Sequence, residues 1–187
     1  MDDNSLQNCF TNSFLKQEKS KAVTFLRDGK IETGISYLQL QQDSNRMART
    51  LQELGVAKAD RVILCIQKSL IFVIAHLALQ KIGAIAVPLN PGFKKSELDY
   101  LLHDADPKLI LAEADKKGLI TEIDSSLTTF IVDTQRPYQD IDFFRSAPEE
   151  YARVEISPQD PGLIIYTSGT TGKPKGAIFT QKNLVHD

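Results

Sequence analysis

Short, unbroken apolar runs alternate along this chain with segments that have helical spacing. The runs are 61–66, 84–88, 108–112 and 129–133. Strands that are apolar along their whole length, and not only at every second residue, are typical of strands buried on both faces. The alternation therefore predicts an α/β fold, with one mainly parallel sheet that has helices on both faces.

Capping residues indicate where the helices between these strands begin. Helices are predicted over 36–54, from Ser69 or Leu70 to 82, over 96–105 and over 115–124. Ser36 with Gln39, and Ser96 with Asp99, each match the spacing of a capping box. Each predicted helix lies next to an apolar run, as expected for βαβ units.

Charge and hydropathy exclude several classes of protein. The 187 residues carry 22 basic and 24 acidic side chains, so the net charge is −2 and nucleic acid is not an expected partner. The longest apolar stretch, 70–79, is too short for a membrane span.

We predict an amino-terminal arm (1–21), a first α/β subdomain (22–133), a connecting segment (134–161) and the start of a second subdomain (162–187).

The cysteines and histidines indicate neither a disulfide framework nor a metal site. Cys65 lies in an apolar run and Cys9 is far from it in sequence, so both are predicted to be thiols, with Cys65 buried and slow to react. A reducing, cytoplasmic setting fits this. His76, His103 and His186 have no Cys or His at ligand spacing nearby, which favours structural roles.

The stretch 166–176 concentrates groups that bind anions. Four of the six residues from Thr167 to Gly172 carry a hydroxyl group and the other two are glycine, so N–H and O–H donors can converge on a phosphate. Lys173 and Lys175 add positive charge, and apolar runs on either side predict a loop between two strands. The spacing of a Walker A loop is absent. A plain hairpin turn is the alternative interpretation.

The run Tyr-Thr-Ser-Gly-Thr-Thr-Gly-Lys-Pro-Lys-Gly at 166–176 resembles the phosphate-binding loop of the adenylate-forming superfamily. That superfamily includes acyl- and aryl-CoA synthetases, peptide-synthetase adenylation domains and luciferases. Upstream stretches resemble it in the same order: Ile-Ser-Tyr at 35–37, Leu-Gly-Val at 54–56, Asp-Arg-Val at 60–62 and Gly-Ala-Ile-Ala-Val-Pro-Leu-Asn-Pro at 83–91. The similarity extends from about residue 22 to the end.

The resemblance implies an ATP-dependent ligase that activates a carboxylic acid. Such enzymes join the acid to the α-phosphate of ATP, release pyrophosphate and pass the acyl group to a thiol such as coenzyme A. Mg²⁺ is implied with the ATP. The nucleotide-binding residues that the resemblance implies are Thr167, Ser168, Gly169, Thr170, Thr171, Gly172 and Lys175. It assigns no catalytic residue and no protein ligand for a metal.

Two features depart from the family pattern. Gln181 stands after Thr180 where many members have a histidine, so no role is transferred to it. The chain also stops at Asp187, before the family's acyl pocket, adenine and ribose motifs and carboxy-terminal lysine domain. We therefore expect an amino-terminal fragment that is inactive alone and self-associates. The alternative is a stand-alone ATP- or phosphate-binding module without catalysis; the acid substrate cannot be deduced from these residues.

Overall fold

The computed structural model describes residues 6–7, 9–10, 14, 17–27, 29–141, 147–167 and 173–186. The strands are β1 (Lys21–Arg27), β2 (Lys30–Ser36), β3 (Arg61–Cys65), β4 (Ile85–Pro88), β5 (Leu109–Ala112), β6 (Thr129–Ile131), β7 (Pro161–Thr167) and β8 (Lys175–Thr180). The helices are α1 (Tyr37–Glu53), α2 (Leu70–Lys81), α3 (Lys95–Ala105), α4 (Ala114–Ile123) and α5 (Gln181–His186), with a short 3₁₀ turn at Tyr138–Asp140.

The central feature is a six-stranded sheet with the order β6-β5-β3-β4-β7-β8. β3 pairs in parallel with β4 and β5, β5 pairs in parallel with β6, and β4 pairs in parallel with β7. Only β8 runs antiparallel among these six, next to β7. The mainly parallel sheet that the apolar runs predict is confirmed.

The helices cover both faces of this sheet, as the sequence predicts. Along β3, Val62 and Leu64 belong to the core that includes α1 and α2, whereas Ile63 and Cys65 belong to the core that includes α3. Successive side chains of a strand point to opposite faces, so an entirely apolar strand supplies both cores. All four of these side chains are at most 1% exposed.

The strand β7 corrects one prediction. We expected the run 163–166 to begin a separate unit and not to be a late strand of the first sheet, but β7 pairs with β4 in the same sheet. The prediction that this run lies outside the first sheet is therefore wrong, whereas the subdomain boundaries stay a prediction. The antiparallel hairpin of β1 and β2 was also not predicted, because polar residues interrupt both strands and neither is an unbroken apolar run.

The predicted cap is present at one helix, a second helix has a cap that was not predicted, and a third differs from the prediction. The backbone N–H of Gln39 donates to Ser36 Oγ at 3.2 Å, and Ser69 caps α2 in the same way through Phe72 N–H at 3.3 Å. The box predicted from Ser96 and Asp99 is wrong. Glu97 Oε2 accepts from the backbone N–H of Lys94 at 2.9 Å, so α3 begins at Lys95.

The amino-terminal arm is predicted to be a loosely held arm or a short helix. The described residues between 6 and 14 have helical backbone. Phe14 is buried in the core and its ring centroid lies 5.5 Å from that of Tyr37 on α1. At Phe14 the arm is therefore packed, because a buried aromatic ring removes a large apolar surface from water.

The connecting segment lies along α1. Arg46 on α1 donates to Glu149 at 2.8 Å, and Tyr138 OH donates to the buried Asp43 at 2.9 Å. Burial raises the pKa of Asp43, opposed by the hydrogen bond from Tyr138 and by the charge of Arg46. These contacts bring the chain back to the start of β7.

In the described part of the chain, no helix has the length and hydropathy needed to cross a membrane.

Candidate phosphate-binding site

The strand β7 ends, and the strand β8 begins, at the carboxyl edge of the sheet. Because β7 runs parallel to β4 and ends at Thr167, Thr167 lies at the edge where open α/β sheets bind ligands. Thr167 and Lys175 are cross-strand partners at the two ends of the turn, and both are exposed. The other predicted site residues, 168–172, lie outside the described residues.

Helix α3 contacts both sides of this turn. On the β7 side, Tyr166 OH donates to Asp104 Oδ2 at 2.6 Å. On the β8 side, Tyr100 OH donates to the carbonyl oxygen of Pro174 at 3.1 Å. The ammonium group of Lys173 lies 5.6 Å from the centroid of the Tyr100 ring, within the range of a cation–π interaction.

A close approach between strands fixes the ring of Tyr166. Gly176 is its partner across the hairpin. A Cβ at position 176 would lie 2.9 Å from Ile164 Cγ2 and 3.4 Å from the Tyr166 ring, so a larger residue would displace them. Burial and the hydrogen bond to Asp104 raise the pKa of Tyr166. The phenol therefore keeps its proton at neutral pH and remains a donor.

Comparison with known proteins agrees with the motif and the topology. The sequence model of the family described as AMP-binding enzyme matches residues 11–187. This chain belongs to the AMP-binding enzyme family. The match includes the β7–β8 hairpin and the whole six-stranded sheet.

Three relatives illustrate how much of an AMP-binding enzyme this chain represents. A dimodular nonribosomal peptide synthase of Bacillus subtilis (strain 168) is 35% identical over 150 residues, which cover 80% of this chain and 6% of that protein. ATP-bound MatB from Rhodopseudomonas palustris superposes with a TM-score of 0.82 at 29% identity, over 96% of this chain and 36% of MatB.

The third relative is the fatty acyl-adenylate ligase from L. pneumophila, solved in complex with acyl adenylate and pyrophosphate. It has a TM-score of 0.80 at 28% identity, over 98% of this chain and 31% of the ligase. The chain thus spans about a third of the solved AMP-binding enzymes that it matches, and far less of the peptide synthase.

Gln181, where the family pattern often has histidine, has a structural role in this AMP-binding chain. Its side chain is fully buried and its Nε2 donates to Gln80 Oε1 on α2 at 2.8 Å. Gln80 Nε2 in turn donates to the carbonyl oxygen of Gly162 at 2.8 Å, and Gln181 Oε1 accepts from the backbone N–H of Leu6 at 3.3 Å. These bonds hold the hairpin at the end opposite the turn.

The residues of the turn fit the phosphates of ATP better than they fit a metal. A hydroxyl group at Thr167 and an ammonium group at Lys175 complement an anion. Within the described ranges, no group of three or more His, Cys, Asp or Glu side chains could hold a metal ion. The Mg²⁺ implied by the resemblance therefore finds no acidic cluster among the described residues.

The loop 90–95 lies at the same edge of the sheet and has the solvated character that its sequence favours. Asn90 Oδ1 accepts from the backbone N–H of Gly92 at 2.8 Å, and the exposed Lys95 pairs with Glu122 at 3.1 Å. His76, which lies on α2, has its pKa lowered by burial, as expected for a structural histidine. Neither the loop 90–95 nor His76 is assigned to the candidate site.

Tyr100 and Asp104 are the contacts that sequence analysis missed. They are four residues apart, so they lie on one face of α3. This spacing is visible in the sequence, but it shows only that the two side chains are neighbours. Their proximity to Tyr166 and Pro174 depends on β4 lying beside β7, which no local pattern predicts.

Proposed function

We propose that this chain is the phosphate-binding part of an enzyme that activates a carboxylic acid as acyl-AMP, consuming ATP and releasing pyrophosphate. The observation that carries the proposal is that Thr167 and Lys175, two residues of the motif, are cross-strand partners at the carboxyl edge of a mainly parallel sheet. Membership of the AMP-binding enzyme family supports it.

The chemistry explains why such a turn is useful. A carboxylate must approach an anionic nucleotide, and negative charge accumulates on the departing pyrophosphate. Donors and cations that are already in place around the phosphates stabilise that charge most in the transition state. In this proposal Lys175 supplies a point charge, Thr167 a hydroxyl donor, and 168–172 the backbone and hydroxyl donors that the motif implies.

The acceptor of the acyl group is proposed to be a thiol, with coenzyme A as the first candidate. Two kinds of relative inform this choice: a nonribosomal peptide synthase and a fatty acyl-adenylate ligase. The ligase was solved with acyl adenylate and pyrophosphate, which supports the acyl-AMP step of the proposal. The proposed setting is the cytoplasm, in keeping with two reduced cysteines.

Calorimetric titration of the chain with pyrophosphate and with MgATP tests the binding step. We expect weak binding, because the contacts to adenine and ribose expected from the family are not assigned to these residues. Lys175→Ala should abolish it. Lys182→Ala is the matched control, because Lys182 is an exposed lysine that follows the opposite end of β8. Equal affinity in Lys175→Ala and the parent would mean that the stretch is only a turn.

A chimera tests the reaction. The chain replaces the matching 36% of MatB, and exchange of labelled pyrophosphate into ATP is measured with and without the acid that MatB accepts. We expect acid-dependent exchange that Lys175→Ala abolishes, and background exchange by the 187-residue chain alone. A folded chimera that binds MgATP but shows no exchange would favour the alternative, a binding module without catalysis.

A further inference from the structure

We propose that α3 positions the phosphate-binding turn, with Asp104 holding the strand that enters it and Tyr100 holding the strand that leaves it. The inference rests on the proposed function, since it assigns to that site two residues that contact the turn and not the phosphates. Tyr100 and Asp104 are therefore positioning residues.

The two contacts bracket the two described residues of the site. Tyr166, which donates to Asp104, directly precedes Thr167. Pro174, whose carbonyl oxygen accepts from Tyr100, directly precedes Lys175. Thr167 and Lys175 are cross-strand partners, and the two anchored residues flank this pair, with Tyr166 on the sheet side and Pro174 on the turn side. A single rigid helix thus sets the separation and direction of both ends of the turn.

These polar contacts are separate from the packing that stabilises α3. The helix is buried through Leu98, Leu101, Leu102 and Ala105. Asp104 is exposed and Tyr100 is half-buried. Removing the Tyr100 hydroxyl or the Asp104 carboxylate therefore leaves the apolar face of α3 unchanged, and its main effect should fall on the turn.

Tyr100 has a second part in the proposal through its ring. Lys173 is exposed, and its ammonium group lies over the Tyr100 ring at 5.6 Å from the centroid. The ring restricts where this flexible cation can lie and keeps it beside the turn. A turn whose donors and cations are already ordered loses less conformational entropy when an anion binds. The ring and the hydroxyl of Tyr100 should thus contribute separately to affinity.

The test measures pyrophosphate affinity by calorimetry, and thermal unfolding in parallel, for four variants of the chain. Tyr100→Phe removes only the hydroxyl and should weaken affinity about fivefold, the effect of one typical hydrogen bond. Tyr100→Leu also removes the ring and should weaken it further. Asp104→Ala should weaken it about fivefold, whereas Asp104→Asn, which keeps an acceptor for Tyr166, should retain most of the affinity.

Two controls separate positioning from general stability. Tyr37→Phe removes a hydroxyl from a tyrosine on α1, away from the turn, and should change neither affinity nor unfolding. Lys173→Ala is combined with Tyr100→Leu: if the ring acts by holding Lys173, the double variant should bind no more weakly than Tyr100→Leu alone.

The outcomes distinguish this inference from the proposed function. If the parent does not bind pyrophosphate, or if binding survives Lys175→Ala, both the proposed function and the positioning role are wrong. If Lys175→Ala abolishes binding while Tyr100→Phe and Asp104→Ala bind as well as the parent, only the positioning role is wrong. Affinity losses that follow losses in unfolding temperature, with no rescue by Asn at position 104, also overturn it.

Discussion

At the scale of single residues, Lys81 is a buried lysine at the junction of α1 and α2. Its ammonium group donates to Ser44 Oγ and Asn45 Oδ1, each at 2.7 Å. Among the described residues, no carboxylate forms an ion pair with it. Burial, with a smaller effect of the Arg153 charge, lowers the pKa of Lys81 to about 7.

This environment predicts an unusual dependence of stability on pH. Below pH 7 Lys81 is charged in both states, and the native state carries the full cost of burying the charge. Between its native pKa of about 7 and its ordinary value of 10.5, the native state loses the proton first. The unfolded state then binds more protons, so the free energy of unfolding contributed by this group rises with pH.

Urea unfolding of the parent and of Lys81→Met across this pH range measures the effect. Methionine keeps much of the length and apolar volume of the lysine stem but does not titrate. The difference in unfolding free energy between the two proteins should be largest near neutral pH and should shrink as the pH rises towards 10. A constant difference would show that Lys81 keeps its proton in the native state.

Cys65 shows how a residue can be predicted from its immediate neighbours. Its apolar run predicts a buried thiol, and the side chain is 1% exposed with its pKa raised by burial to about 11. Cys9 and Cys65 are both thiols, as predicted. The prediction succeeds because burial of a strand residue follows from the apolar character of its own strand.

At the scale of elements, two glycines in regular structure have opposite roles. Gly118 is exposed within α4, and a Cβ there would have no atom within 4 Å. Gly162 is buried in β7, and a Cβ there would lie 2.6 Å from Gln181 Nε2, 2.7 Å from Gln80 Oε1 and 2.9 Å from Leu184 Cδ1. The first glycine weakens its helix, whereas the second makes room for the contacts between β7, α2 and α5.

Alanine substitutions at these two positions should therefore change stability in opposite directions. Gly118→Ala should raise the free energy of unfolding by about 0.5–1 kcal/mol, because alanine loses less backbone entropy in a helix. Gly162→Ala should lower it by about 1–3 kcal/mol, because the buried amides must move and their hydrogen bonds are strained. Urea unfolding of both variants provides the measurement. A neutral Gly162→Ala would mean that the glutamine pair rearranges at little cost.

At the scale of the whole molecule, β8 leaves the six-stranded sheet with an apolar edge. Within the described residues β8 pairs only with β7, and Ile178 on it is 65% exposed. An edge strand that offers unpaired backbone groups and apolar side chains is a site for association.

We accordingly expect the isolated chain to self-associate, and the edge of β8 to be responsible. Ile178→Lys should shift the chain towards monomer, because a charge on an edge strand opposes pairing. Leu38→Lys is the control, because Leu38 is an exposed apolar residue on helix α1 and offers no strand edge. Sedimentation velocity at several concentrations compares the three proteins. A monomeric parent, or equal effects of both substitutions, would contradict the role of β8.

Local sequence patterns determined the strands of the six-stranded sheet, most helix starts and the position of the motif within the chain. The apolar runs became parallel strands, and Ser36 and Ser69 cap α1 and α2. These features depend on neighbours within a few residues, so a single sequence contains the information. The wrong capping box at α3 is also a local error. Glu97, and not Asp99, accepts from a free backbone N–H at the start of the helix.

Only the tertiary structure decided which elements meet at the turn. The sequence does not show that β7 joins the first sheet beside β4, because strand order depends on long-range packing and not on local periodicity. That placement brings Tyr166 to Asp104 and Pro174 to Tyr100, over separations of 62 and 74 residues. The candidate phosphate-binding residues could thus be predicted from the sequence, whereas the helix that contacts their neighbours could not, because contacts over such separations depend on the packing of the whole sheet.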